Sequence, residues 1–296
     1  MSVKSLAESI IGGPLSDWHD MSGGCIHRVQ SASLNTRARV VIKSGASSAA
    51  SLFEEEAYSL EMIAGTATLP VPRVLGFSHD DDNAVLVLEY LPPARANPDT
   101  WSRFADLLAE FHLHEINSNT DEIYGFSRDN HLGSTLQVNT FCDDWVEFNA
   151  LYRLGFQVRL NRDRGRLSRS DARLLEKLIN RLDTLIPRNP RPSLLHGDLW
   201  SGNAHCTANA ENTAEIALLD PACYIGDAIA DIAMMQLFGG FPESVYEIHA
   251  ELLPDAAALY RERIDVYQLY HLLNHLFIFG SGYHHRVMSL ARKYTG

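Results

Sequence analysis

The chain has 296 residues, 46% of them hydrophobic and 21% charged, with a formal net charge of −12 at pH 7. That length can bury one large core or two smaller ones. The acidic balance argues against nonspecific nucleic-acid binding, which needs a basic surface, and no uncharged apolar stretch is long enough for a membrane span.

The segment Met1 to Asp20 sets Lys4, Glu8 and Asp17 around a short apolar patch. It lacks the basic start and cleavable end of a secretory signal, so a cytoplasmic location is expected. Ser22-Gly23-Gly24-Cys25-Ile26 follows; its glycines let backbone N–H groups turn tightly toward a phosphate. Arg39 to Lys43 is strand-like, rich in β-branched residues. Ser51 is the expected cap of a helix running to about Ala64, with Phe53, Ala57, Leu60 and Ile63 as its inward stripe. Ala84 to Glu89 is a second apolar strand. Tyr90-Leu91-Pro92-Pro93 then breaks regular structure and marks the expected hinge between lobes 1–91 and 92–296.

The later chain reads as mostly helical. Helices are expected over Trp101 to Glu115, Phe141 to Leu160 and Asp171 to Leu185, and from Asp227 onward. Asn117 to Gln137 is polar and reads as a long loop. Short strands are expected at Ser193 to Leu195, Ala204 to Cys206 and Ile216 to Leu219. The class is α+β: a small N-terminal sheet lobe with a helix, and a larger, mainly helical C-terminal lobe. Of the four cysteines, Cys142, Cys206 and Cys223 are expected to be buried, and Cys25 accessible; no CxxC pair suggests a metal or redox motif.

The chemistry concentrates in His196-Gly197-Asp198-Leu199-Trp200-Ser201-Gly202-Asn203 and in Leu218-Leu219-Asp220-Pro221. Metal-assisted phosphoryl transfer in kinase-like folds needs one carboxylate for the acceptor's proton, with an amide oxygen and a second carboxylate for magnesium. Asp198 is the candidate base, and Asn203 and Asp220 the candidate metal ligands. His196 is expected to shape the loop, and Asp231 to accept hydrogen bonds from its backbone. Glu56 falls on the inward stripe of its helix, where a carboxylate needs a cationic partner. Lys43 at the end of the preceding strand is the candidate. His271 and His275 have metal-ligand spacing without a metalloprotease glutamate, so packing is expected there. Ser201 has His205 nearby but no nucleophile elbow, which argues against a serine hydrolase.

The chain resembles the fructosamine kinase (ketosamine-3-kinase) family, within the protein-kinase-like and aminoglycoside-phosphotransferase group. The resemblance runs from Gly23-Gly24-Cys25-Ile26 through Phe53-Glu54-Glu55-Glu56-Ala57, Gln137-Val138-Asn139 and Asp143-Asp144-Trp145. It continues through the His196 to Asn203 string, Asp220-Pro221-Ala222, Leu237-Phe238-Gly239-Gly240-Phe241-Pro242, and Tyr267-Gln268-Leu269-Tyr270 with Leu273-Asn274-His275. It implies ATP- and magnesium-dependent phosphorylation of the 3-hydroxyl of a ketosamine. The 3-phosphate then eliminates and returns the amine. It also implies a bilobal kinase-like fold with ATP between the lobes. Gly23, Gly24, Cys25, Lys43 and Glu56 would then serve the phosphates, the hinge Glu89, Tyr90 and Leu91 the adenine, and Trp200, Asp144 and Trp145 the sugar.

Ile225-Gly226-Asp227, Asn149 and Phe277 depart from the family pattern without removing a catalytic group. Cys25 matches a position that is redox sensitive in family members with a cysteine there, which implies a thiol switch; a monomer is expected, with a redox-linked dimer through Cys25 as the alternative. Two competing readings remain open: a phosphotransferase for an aminoglycoside, choline or another small alcohol, and a non-catalytic nucleotide-binding protein. The sequence leaves open the identity of the ketose, and whether the amine is free or protein-bound.

Overall fold

A computed structural model describes residues 1–21, 27–34, 38–116, 123–253 and 260–296. In chain order these form α1 (Val3–Ile11), β1 (Leu15–Asp20), β2 (Arg28–Leu34), β3 (Arg39–Ala46), α2 (Ala50–Gly65), β4 (Val74–His79), β5 (Asn83–Glu89) and α3 (Pro98–Leu113). There follow β6 (Asn130–Leu132), β7 (Thr135–Gln137), α4 (Trp145–Phe148), α5 (Gly155–Asp163), α6 (Arg169–Ile179), β8 (Pro192–Leu195), β9 (Ala204–Ala208) and β10 (Ala214–Leu218). The last elements are β11 (Tyr224–Asp227), α7 (Ile229–Phe238), α8 (Glu243–Leu252), α9 (Tyr260–Phe279) and α10 (His284–Thr295). The chain divides into two compact units, Met1–Leu108 with Ser201–Ala222, and Ala109–Trp200 with Cys223–Gly296.

The first unit is built on an antiparallel sheet of order β1-β2-β3-β5-β4. Strand β5 is apolar from Ala84 to Leu88 because both its faces are covered there. Val85 and Val87 pack with Leu6 and Ala7 of α1, and with Val40 and Ile42 of β3. Ala84, Leu86 and Leu88 face Phe53, Ala57 and Leu60 of α2. Successive strand residues point to opposite faces. Val41 accordingly joins the α2 side, and Lys43, two residues on, points the same way.

The cap expected at Ser51 is not formed. A short 3-10 turn, Ser47–Ala49, feeds directly from β3 into α2, and Ala49 stands at the N-cap without a side-chain hydrogen bond. Ser51 is exposed within the first turn. The boundary expected after Leu91 also differs from the division observed. The linker is bonded to β9, with the Ala94 N–H donating to the Cys206 carbonyl at 2.9 Å, and the Leu218 N–H donates to the Pro70 carbonyl at 2.8 Å. These bonds place the β9–β10 hairpin with the N-terminal sheet.

In the second unit the helix expected from Phe141 begins at Trp145. Asp144 caps it, accepting the Glu147 N–H at 3.0 Å. A π-helical stretch, Asn149–Leu154, then precedes α5. Gly155 permits that wide turn, because a Cβ there would stand 2.2 Å from the Ala150 carbonyl oxygen. Helix α6 ends at Ile179 rather than Leu185, and starts on a capping box between Ser168 and Asp171.

The expected loop at Asn117 to Gln137 contains a β6–β7 hairpin, with residues 117–122 outside the described set. Asn130 and Gln137 are buried there and bond each other at 2.9 Å. Strand β11, absent from the sequence reading, pairs antiparallel with β8, so the helices resume at Ile229. Of the cysteines expected to be buried, only Cys223 is; Cys142 and Cys206 are half-buried, and Cys25 lies outside the described residues. No described helix is long and apolar enough to cross a membrane.

Candidate active site

Alternation along β3 aims Lys43 at α2, and the four-residue spacing of the α2 stripe aims Glu56 back at it. Lys43 Nζ donates to Glu56 Oε1 at 2.6 Å and also to Asp220 Oδ1. The Lys43 and Glu56 side chains are 11% and 14% exposed, whereas that of Asp220 is 46% exposed. Burial would lower the Lys43 ammonium, but the Glu56 and Asp220 carboxylates outweigh it and hold Lys43 well above its usual value. Burial pushes Glu56 up to about 7, against the pull of Lys43.

Asp220 sits just beyond β10 with φ 54°, in the left-handed region where non-glycine residues are uncommon. The neighbouring Leu219 N–H donates to the Asn203 carbonyl at 2.9 Å. That bond holds the end of the His196–Asn203 string beside the aspartate segment. Both residues line a cavity of about 270 Å³ within the first unit. Val29, Val41, Leu88 and Leu219 supply its apolar walls; Lys43, Glu56, Asn203 and Asp220 supply a polar end; Glu89, Tyr90 and Leu91 form a rim. A larger, open depression of about 560 Å³ in the second unit, bordered by Arg128, Asp129 and Phe141, contains none of the expected site residues.

In the second unit Asp198 follows β8 on a segment shaped by backbone bonds. Asp231, in the first turn of α7, accepts the His196 N–H at 2.8 Å and the Gly197 N–H at 2.9 Å. His196 Nδ1 accepts the Asp198 N–H at 3.2 Å. The roles expected for Asp231 and His196 are therefore observed. Burial would raise Asp231, but its hydrogen bond with His112 leads the effects that bring it below the usual carboxylate range. The sequence reading missed the rest of this network. His112 Nε2 lies 3.2 Å from Asp231, and its Nδ1 lies 2.9 Å from His249 Nε2. Both histidines are buried. The only signal was a histidine on the apolar face of α3, which looks the same as a packing residue.

The residues expected at the sugar diverge. Trp200 is half-buried. Asp144 is occupied by its capping role and an ion pair with Arg188. Trp145 is fully buried, which corrects its assignment to sugar contact. Its indole N–H donates to the Tyr267 hydroxyl at 2.7 Å, and its ring stacks on Phe148 at 5.3 Å. The phosphate-loop candidates Gly23, Gly24 and Cys25 lie outside the described residues.

The model of the fructosamine kinase family matches residues 3–295. The chain belongs to the fructosamine kinase family. It is 36% identical over 273 residues to a probable ketoamine kinase of Synechocystis, covering 92% of this chain and 88% of that protein. It is 35% identical over 281 residues to the chloroplastic protein-ribulosamine 3-kinase of Arabidopsis thaliana, covering 93% of this chain and 81% of that protein. A solved Haemophilus somnus structure assigned as a fructosamine-3-kinase matches with TM-score 0.86 and 27% identity, over 100% of this chain and 97% of that one. An aminoglycoside-3'-phosphotransferase, at 18% identity and TM-score 0.52, shares the fold alone. This fructosamine kinase family member is thus an alcohol-directed kinase with a protein-kinase-like fold.

Proposed function

We propose that this chain transfers the γ-phosphoryl group of ATP, with magnesium, to the 3-hydroxyl of a ketosamine. The observation that carries the reading is the buried Lys43–Glu56 pair tied to Asp220 at the polar end of an apolar-walled cavity. An apolar slot with a fixed cation at one end suits a flat base joined to phosphates.

Lys43 holds phosphate oxygens, and Glu56 holds Lys43 in place. The rim at Glu89 to Leu91 takes the base. Asn203 and Asp220 offer an amide oxygen and a carboxylate to one cavity, a hard-oxygen donor set that fits magnesium. Bound there, the ion neutralises charge on the phosphates. Asp198 accepts the proton as the acceptor hydroxyl oxygen bonds to phosphorus and the bond from phosphorus to ADP breaks. Asp231 keeps the backbone beneath Asp198 in position. The 3-phosphate product eliminates phosphate and frees the amine, so the activity reverses glycation of small molecules or of protein amines. The expected setting is the cytoplasm.

Phosphorus NMR of protein incubated with ATP, magnesium and a ribulosamine or fructosamine tests this. A sugar 3-phosphate followed by free amine is expected. ATP turnover with an aminoglycoside and with neither ketosamine would instead favour the other small-alcohol reading.

A further inference from the structure

The linker after β5 is laced to β9 through the Leu91 and Pro92 carbonyls and the Ala94 N–H. His205 Nε2 lies 3.2 Å from the Leu91 carbonyl oxygen. Thr207 Oγ1 donates to the Pro92 carbonyl at 2.9 Å, and the Ala94 N–H donates to the Cys206 carbonyl at 2.9 Å. His205 and Thr207 are two apart on a strand, so both side chains leave β9 on the face that meets the linker. A carbonyl oxygen can only accept, so His205 Nε2 carries a proton and donates it.

Leu91 and His205 both line the 270 Å³ cavity. The Leu91 carbonyl oxygen is already engaged by protein, through His205. The Leu91 N–H, by contrast, has no hydrogen-bond partner among the described residues.

We propose that His205 determines which purine the cavity accepts, by engaging the Leu91 carbonyl so that the linker reads the base with its N–H. The proposal rests on the nucleotide reading above. The Watson–Crick edge of adenine places an acceptor at N1, whereas guanine places an N–H there. A linker N–H satisfies the first and confronts the second with another donor. A buried donor left unmatched costs more than a matched one gains, so the arrangement rejects guanine at least as strongly as it holds adenine. A carbonyl oxygen has two lone pairs and the imidazole occupies one; without it, both become available to guanine N1–H and its exocyclic amine.

The test compares wild type, His205→Ala and His205→Gln by calorimetric binding of ADP and GDP, a readout independent of the sugar substrate. In His205→Ala the preference for ADP over GDP should fall by about tenfold, chiefly through tighter GDP binding. Glutamine keeps a donor that can reach the carbonyl, so His205→Gln should retain the preference to within about threefold. An unchanged preference in His205→Ala, or an equal loss in His205→Gln, would overturn the proposal. A wild type that binds neither nucleotide would overturn the nucleotide reading and the proposal with it. Binding of ADP by a wild type inactive on ketosamines would remove only the substrate assignment, leaving the purine preference measurable.

Discussion

Lys43 Nζ donates to Glu56 Oε1 at 2.6 Å across the interface between sheet and helix of the first unit. Both groups are largely buried, so each is the other's main compensation for leaving water. Glu56→Ala leaves the ammonium with Asp220 alone and lets its position drift. Affinity for ATP should fall by about tenfold or more, and Asp220 should pull Lys43 toward itself. Calorimetric titration of the nucleotide checks this, and unchanged affinity would remove the pair from nucleotide binding.

Asp231 carries a second prediction. Its two oxygens accept the consecutive N–H groups of His196 and Gly197, and Asp231→Asn replaces one acceptor with a donor. A buried N–H would then face an NH₂ group, at a cost of about 1–3 kcal/mol. A urea midpoint shifted to match is expected, with kcat reduced more than KM for ATP because the loop carrying Asp198 is disturbed.

Stability should depend on acid through two histidines. His249 and His271 are buried, and burial pushes both imidazoles down to about 3 from the usual 6.5. As pH falls below about 6.5, the unfolded chain takes up protons that the folded chain refuses. Their contribution is full above that pH and is lost toward 3, at about 1.4 kcal/mol per pH unit for each group. Glu56, raised from 4.5 to about 7, acts in the opposite sense: its contribution is full below 4.5 and is lost as pH rises to 7. His271→Phe should flatten the fall in urea stability between pH 6 and pH 5 by about one imidazole's worth. The same slope in the variant would show that His271 is not held neutral. His271 Nδ1 has no partner among the described residues, so the replacement strands no hydrogen bond at that atom.

Packing around Trp145 gives a fourth prediction. A Cβ at Gly226 would stand 2.5 Å from the Trp145 ring. Gly226→Ala should destabilise the protein by about 1–3 kcal/mol, and pairing it with Trp145→Phe should cost less than the two changes summed. Additive effects in thermal melts would mean that the ring is not what Gly226 accommodates.

Where one local rule dominates, the sequence was readable. The apolar run of β5 and the stripe of α2 follow burial periodicity, and Lys43 and Glu56 met because two periodicities point at one place. Asp231 was legible because a carboxylate on an otherwise apolar helix start needs donors. Ser51 misled because an entry directly from β3 overrode the local cap signal. Asn130 to Gln137 looked like a loop because Asn130 and Gln137 are held by buried hydrogen bonds, to each other, to the Cys223 carbonyl and from the Tyr270 hydroxyl, which periodicity in hydrophobicity does not register. Trp145 and the His112–His249 contact depend on partners more than a hundred residues away in the chain, so no local pattern reports them.

Phosphoryl transfer to a ketosamine with Asp198 as base makes that one carboxylate the proton acceptor of the reaction. The most direct test measures magnesium- and ATP-dependent turnover of a ribulosamine by wild type and by Asp198→Asn, with ATP affinity measured on both. Turnover by wild type and a loss of at least about a hundredfold in the variant are expected, with ATP affinity within about threefold. Near-normal turnover by Asp198→Asn, or ATP-binding wild type that phosphorylates no ketosamine, would contradict this reading.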